Sequence, residues 1–227
     1  MQKAGKVTIG TQEVQIPAGA ARLNGNLDLP AGASGLVLFA HGSGSSRLSP
    51  RNVYVAQHLR AEGLGTLLFD LLTEAEAADR ANVFNIDLLT QRLLAAGDWL
   101  RAQELPGPLR FGYFGASTGA AAALQAAALR PGEVGAIVSR GGRPDLAERY
   151  LERVTAPTLL IVGGSDPLVL QLNEAAYALL QTEKELVVVP GATHLFEEPG
   201  ALEDVADRAG LWFRRYLAPD TPANPSA

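Results

Sequence analysis

Short runs of Val, Leu, Ile and Phe, each long enough for one strand and separated by helix-length segments, constrain this chain more than any other feature. Residues 36–40, 66–69, 109–114, 134–139, 158–162 and 186–189 read as strands buried on both faces, because they lack the polar alternation of a half-exposed sheet. Such runs alternating with helices imply an α/β fold, a mainly parallel twisted sheet of about eight strands with helices on both faces. Ser49-Pro50 opens the first helix, Ser as cap and Pro in the first turn, with Val55 and Leu59 on one face and Gly63 as the stop. Ile86, Leu89, Leu93, Ala96 and Leu100 recur at helical spacing and predict a long crossover helix. Ahead of the parallel strands, 12–16 and 22–29 alternate polar and apolar residues, which predicts an antiparallel start to the sheet. Asn24-Gly25 suits a hairpin turn or a bulge; the common phase of Leu23, Leu27 and Leu29 favours the bulge.

A length of 227 residues suits one α/β domain, with a core over about 12–217 and an apolar-poor, disordered tail at 218–227. The absence of cysteine excludes disulfide frameworks, thiol nucleophiles and Cys-based metal sites. A net charge of −5 without a basic cluster argues against nucleic acid or an anionic membrane as partner, and no apolar run reaches the length of a membrane span. The charged start, Met1 to Lys6, is not followed by a signal-peptide apolar run, so a cytoplasmic location is expected. Only about twenty residues separate the 134–139 and 158–162 strands, too few for a helical lid, so the site is expected to lie open at the carboxyl ends of the strands.

The chemistry centres on Gly115-Ala116-Ser117-Thr118-Gly119, which lies between a strand and the Ala-rich helix 120–129. A serine on such a turn projects its hydroxyl from a strained backbone, and glycines two residues either side let strand and helix approach. A serine hydroxyl needs a base, and the base needs an acid to orient it. His194, after the last strand in Pro190-Gly-Ala-Thr-His, is the candidate base; His58 reads as a helix-surface residue and His41 as a loop brace. Asp166, ending Gly163-Gly-Ser-Asp, is the candidate acid, with Asp145 as fallback. Backbone amides of Thr118 and Ser43 are the candidate oxyanion donors, Ser43 belonging to the loop His41-Gly-Ser-Gly-Ser-Ser-Arg47, with Gly42 or Gly44 as alternatives. That loop lacks the Gly-Lys-Ser/Thr of a phosphate cradle. Gly44, Arg47 and Arg140 are candidate substrate-binding residues; the guanidinium groups of Arg47, Arg140 and Arg143 either clamp a substrate anion or brace loops through Asp145, Asp166 or a nearby Glu. Glu197-Glu198 and the acidic stretch 74–79 read as solvated surface.

Four motifs, 41–47, 115–119, 163–166 and 190–194, fall in order over most of the chain, and on them the sequence resembles α/β-hydrolases of the dienelactone-hydrolase-like group. The resemblance implies the α/β-hydrolase fold without a large lid and a Ser117, Asp166, His194 triad. It also implies hydrolysis of small or exposed carboxylic esters through an acyl-enzyme, with no metal or organic cofactor. Members of the group named for the lactone carry cysteine where this chain has Ser117, which favours simple esters here. Sequences of this kind also occur fused to phosphoribosyltransferase domains, which this chain is not expected to contain. A thioesterase or acyltransferase with the same triad, or a catalytically silent binding module, are the alternatives. The expected partner is a small-molecule ester, and the sequence leaves oligomeric state open.

Overall fold

Alternation at the N-terminus produces a hairpin: β1 (Gly10–Ala18) pairs antiparallel with β2 (Ala21–Leu29). The computed structural model describes residues 7–218, so the expectations for Met1–Lys6 and for most of the 218–227 tail lie outside the described residues. The hairpin turn is Gly19-Ala20, with Gly19 at φ +66, and the β1–β2 register runs unbroken through Val14↔Gly25. Asn24-Gly25 is therefore neither a turn nor a bulge. Gly25 lacks a side chain for a packing reason: a Cβ there would sit 3.1 Å from Val14 Cγ2 and 3.2 Å from Phe69 Cβ.

The remaining strands are β3 (Gly35–Ala40), β4 (Gly65–Phe69), β5 (Arg110–Ala116), β6 (Ala136–Arg140), β7 (Thr158–Gly163) and β8 (Lys184–Val189). They complete an eight-stranded sheet of order β1-β2-β4-β3-β5-β6-β7-β8, parallel from β4 to β8 and antiparallel at β1–β2 and β2–β4. Every residue of β3, β4, β6 and β7 is buried, as the continuous apolar runs require.

The helices are α1 (Pro50–Ala61), α2 (Glu74–Ala77), α3 (Arg80–Val83), α4 (Ile86–Arg101), α5 (Thr118–Leu129), α6 (Pro167–Leu179) and α7 (Ala201–Leu217). Helices α1 and α7 cover one face of the sheet, where Val55 and Leu59 of α1 pack with Phe39, Phe114, Val138 and Phe213. On the other face Leu89, Leu93, Ala96 and Leu100 of α4 join the alanines of α5 and Tyr113 of β5. Ser49 precedes α1 without a side-chain cap bond, so Pro50 alone marks that start. The segment between β6 and β7 holds only a kinked 3-10 stretch, Pro144–Arg153, packed against α5 and α6. No large lid is built there. No helix among the described residues is long and apolar enough to cross a membrane.

Candidate active site

Ser117 sits at φ +51, ψ −120, one of two non-glycine residues with positive φ among those described, between β5 and α5. A β-carbon in that conformation is strained, and the surroundings hold it in place. Its backbone N–H donates to the Arg140 carbonyl at 3.3 Å, and its own carbonyl accepts from Arg143 N–H at 3.1 Å. The flanking glycines serve close approach: a Cβ on Gly115 would lie 2.8 Å from the Ala120 nitrogen, and one on Gly119 2.6 Å from the Ala40 carbonyl carbon. Strand, turn and helix can meet only with glycine at both positions.

Asp166 closes the turn after β7 and caps α6, one carboxylate oxygen accepting Val169 N–H at 3.4 Å. The other oxygen lies 2.8 Å from His194 Nδ1. Backbone bonds join the two loops, Gly164 N–H to the Val189 carbonyl at 2.8 Å and Ser165 N–H to the Ala192 carbonyl at 2.9 Å. A Cβ on Gly163 would come within 2.7 Å of the Thr193 carbonyl oxygen, so this glycine admits the His194 loop. Gly141, at φ +50, abuts the same histidine: its missing Cβ would lie 3.5 Å from His194 Cε1. Asp145, the fallback acid, is engaged by Arg143 at 2.7 and 2.9 Å.

The loop after β3 is held by two side chains that reach across to the segment after β4. Arg47 donates through its backbone N–H to Asp70 Oδ1 at 2.8 Å and through Nη1 to Asp70 Oδ2 at 2.5 Å, with Nε on Asn26 Oδ1 at 3.2 Å. His41 Nε2 accepts Leu71 N–H at 3.0 Å while Nδ1 faces the Gly42 carbonyl at 3.0 Å. Burial holds His41 below the ordinary imidazole range. The two bonds require the neutral Nδ1–H tautomer, since Nε2 must keep its lone pair. Gly42 lies against the serine, where a Cβ would be 3.0 Å from Ser117 Cβ, and Gly44 takes φ +69 in open space. Gly42, Ser43, Gly44, Arg47 and Thr118 line one cavity of about 390 Å³.

The three arginines therefore differ. Arg47 and Arg143 are paired with Asp70 and Asp145, which corresponds to bracing; Asp70 was not among the expected partners, although an acid directly after a central strand is a readable signal. Arg140 is 7% exposed. Its guanidinium carbon stands 5.8 Å from the Phe196 ring centre, and Nε and Nη1 are buried without a hydrogen-bond partner among the described residues. Burial, with Arg51 nearby, lowers its pKa to about 10. Phe196, at φ +55 and 1% exposed, was not anticipated as part of the site; it fixes the chain two residues after His194.

Both acidic surface assignments hold, since Glu74, Asp79 and Glu197 are exposed, but three of the carboxylates also make specific contacts. Glu198 accepts from Thr193 Oγ1 at 2.6 Å and Glu197 pairs with Arg51 at 2.9 Å, so both tether the His194 loop. In the acidic stretch, Glu76 forms a capping box with Thr73 and an ion pair with Arg92 at 2.5 Å. His58, expected on the helix surface, is half-buried where α1 meets α7, with Nε2 3.3 Å from Glu62 Oε1 and 3.1 Å from Asp207 Oδ1. Among the described residues, no group of three His, Asp or Glu side chains gathers in a way that could hold a metal ion.

Residues 54–217 match the dienelactone hydrolase family. The chain belongs to the dienelactone hydrolase family. It is 56% identical to a solved dienelactone hydrolase from Anabaena variabilis, over 91% of this chain and 99% of that one, with a TM-score of 0.85. A Mycobacterium tuberculosis protein provisionally named a phosphoribosyl transferase is 56% identical over 212 residues, 93% of this chain and 48% of the relative. This dienelactone hydrolase family member thus spans about half the length of that curated relative. It also shares its fold with a Xanthomonas campestris α/β serine hydrolase described as having no lid, at 24% identity over 97% of this chain and 99% of that one, TM-score 0.77.

Proposed function

We propose that this chain is a serine esterase acting on carboxylic esters that are small or leave one half exposed, since no large lid covers the strand ends. The observations that support the reading are the 2.8 Å His194–Asp166 contact and a serine held at φ +51 on the turn after β5. Asp166 orients the imidazole with Nδ1–H toward the carboxylate, leaving Nε2 as the base. His194 takes the Ser117 proton as Oγ attacks the ester carbonyl, and the amides of Thr118, in the first turn of α5, and Ser43 stabilise the oxyanion. His194 then gives the proton to the departing alcohol. It next activates a water that attacks the acyl-serine, releasing the acid and restoring the hydroxyl.

Covalent labelling by a fluorophosphonate, with mass-spectrometric mapping of the adduct, tests the reading. An adduct on Ser117 together with turnover of p-nitrophenyl esters supports it. A folded protein that neither reacts nor hydrolyses is a binding module, and turnover confined to thioesters or to acyl transfer names those reactions instead.

A further inference from the structure

We propose that the cavity between the 41–47 loop and the α2–α3 segment is the acyl-binding site, shaped for an acyl group of medium length with an apolar body, while the alcohol half of the ester departs on the opposite side. The inference rests on the esterase reading and adds which half of the substrate is enclosed.

Strand order supplies the direction. Ser117 follows β5, and Asp166 and His194 follow β7 and β8 on one side of it, whereas β3, β4 and β2 lie on the other. The imidazole must protonate the departing alcohol oxygen, so that oxygen faces His194. The carbonyl oxygen turns to the amides of Ser43 and Thr118. The remaining substituent of the tetrahedral carbon, the acyl chain, is left the β4 side, and the cavity is there. Leu23, Leu72, Ala77, Val83 and Leu89 give it an apolar portion, Arg22, Asp70 and Glu74 a polar one, and Thr118 lines the end nearest the serine turn. Among the described residues, none of 141–143, 166 or 190–198 lines it, nor does Ser117 itself, so the cavity meets the serine turn at Thr118 and Gly42.

The outer wall is α2–α3, and it is fastened. Glu76 accepts from Thr73 backbone N–H at 2.9 Å and from Arg92 Nη2 at 2.5 Å, and Asn82 Nδ2 donates to the Glu76 carbonyl at 3.0 Å. Arg92 also donates to the Ala18 carbonyl, so one arginine of α4 ties the wall to the β1–β2 turn. Ala77 is exposed and Val83 half-buried, which sets the cavity mouth at this wall. A volume of about 390 Å³ falls at the lower end of ligand pockets, enough for an acyl chain of about six to eight carbons.

The test uses p-nitrophenyl esters from acetate to decanoate below their micelle-forming concentrations, and acetates of alcohols of graded length. Each enclosed methylene raises kcat/KM roughly fourfold if fully realised, so a rise of at least about tenfold to a maximum near hexanoate is expected, with decanoate lower and alcohol length nearly without effect. Val83→Trp and Ala77→Trp place bulk at the cavity mouth and should lower the hexanoate-to-acetate ratio by about tenfold or more. Arg92→Met frees the wall and should move the optimum toward longer chains. A decline from acetate onward in the unaltered protein, or a ratio unmoved in both Trp variants, overturns the assignment. Fluorophosphonate labelling reads the esterase proposal separately: a labelled Ser117 with no acyl preference sinks the pocket alone, whereas no label and no turnover sinks both.

Discussion

Asp166 holds His194 with one carboxylate oxygen, at 2.8 Å, and the first turn of α6 with the other, at 3.4 Å. The carboxylate in contact with the imidazole is thereby also a helix cap. The cap and the imidazole contact together restrict its rotamer.

Asp166→Asn preserves an oxygen for the cap but offers an amide that favours the wrong imidazole tautomer. We expect kcat to fall by orders of magnitude, up to about 10⁴ on the serine-protease precedent, with the melting temperature little changed. Ser117→Ala should fold and lose nearly all turnover and all fluorophosphonate labelling. Retained activity in Ser117→Ala would remove the nucleophile assignment.

The Arg47–Asp70 pair anchors the loop that carries Ser43; on the proposal that the Ser43 amide is an oxyanion donor, Asp70→Ala should cost kcat more than KM, because such a donor acts chiefly in the transition state. The two Arg47 bonds to Asp70 are partly buried, with side chains 23% and 18% exposed. A stability loss of about 1–3 kcal/mol is expected in urea titration. Unchanged kcat with raised KM would show that Arg47 serves binding rather than the loop.

His41 supplies a pH dependence whose sign is determined. Its folded pKa is lowered by burial, so between that value and the unfolded value of about 6.5 the unfolded chain binds a proton that the folded chain does not. The His41 contribution is complete above about 6.5 and is lost as pH falls through the folded value. His41→Gln should flatten this part of the urea-midpoint profile between pH 7 and 5. An identical slope in both proteins would assign the acid sensitivity elsewhere.

Arg140 is buried, has no carboxylate partner among the described residues and packs against Phe196. Arg140→Met keeps most of the packing volume while removing a desolvated charge, at the loss of a cation–π contact of about 1 kcal/mol. Its stability should stay within about 1 kcal/mol of the unaltered protein, whereas Arg140→Ala opens a void and should lose about 2–4 kcal/mol. Equal losses in the two variants would show that the charge itself is required.

The six apolar runs, the α4 repeat and the serine turn were legible in the sequence because each is a local pattern, set by burial on both faces, by helical spacing or by glycines that a close approach demands. The same holds for Ser117, Asp166 and His194, each just past its own strand, where parallel topology brings residues 28 and 49 positions apart to one edge. Tertiary structure alone decided which charges meet. Arg47 found Asp70, Glu76 found Arg92 and Glu197 found Arg51, pairings over 23, 16 and 146 residues that no local pattern encodes. Gly25 was misread for the same reason, since its missing side chain answers to Val14 and Phe69 on two neighbouring strands rather than to a turn. The acidic stretch became a cavity wall because Arg92 on another helix fastens it there, and a contact between distant segments becomes visible only once the chain has folded.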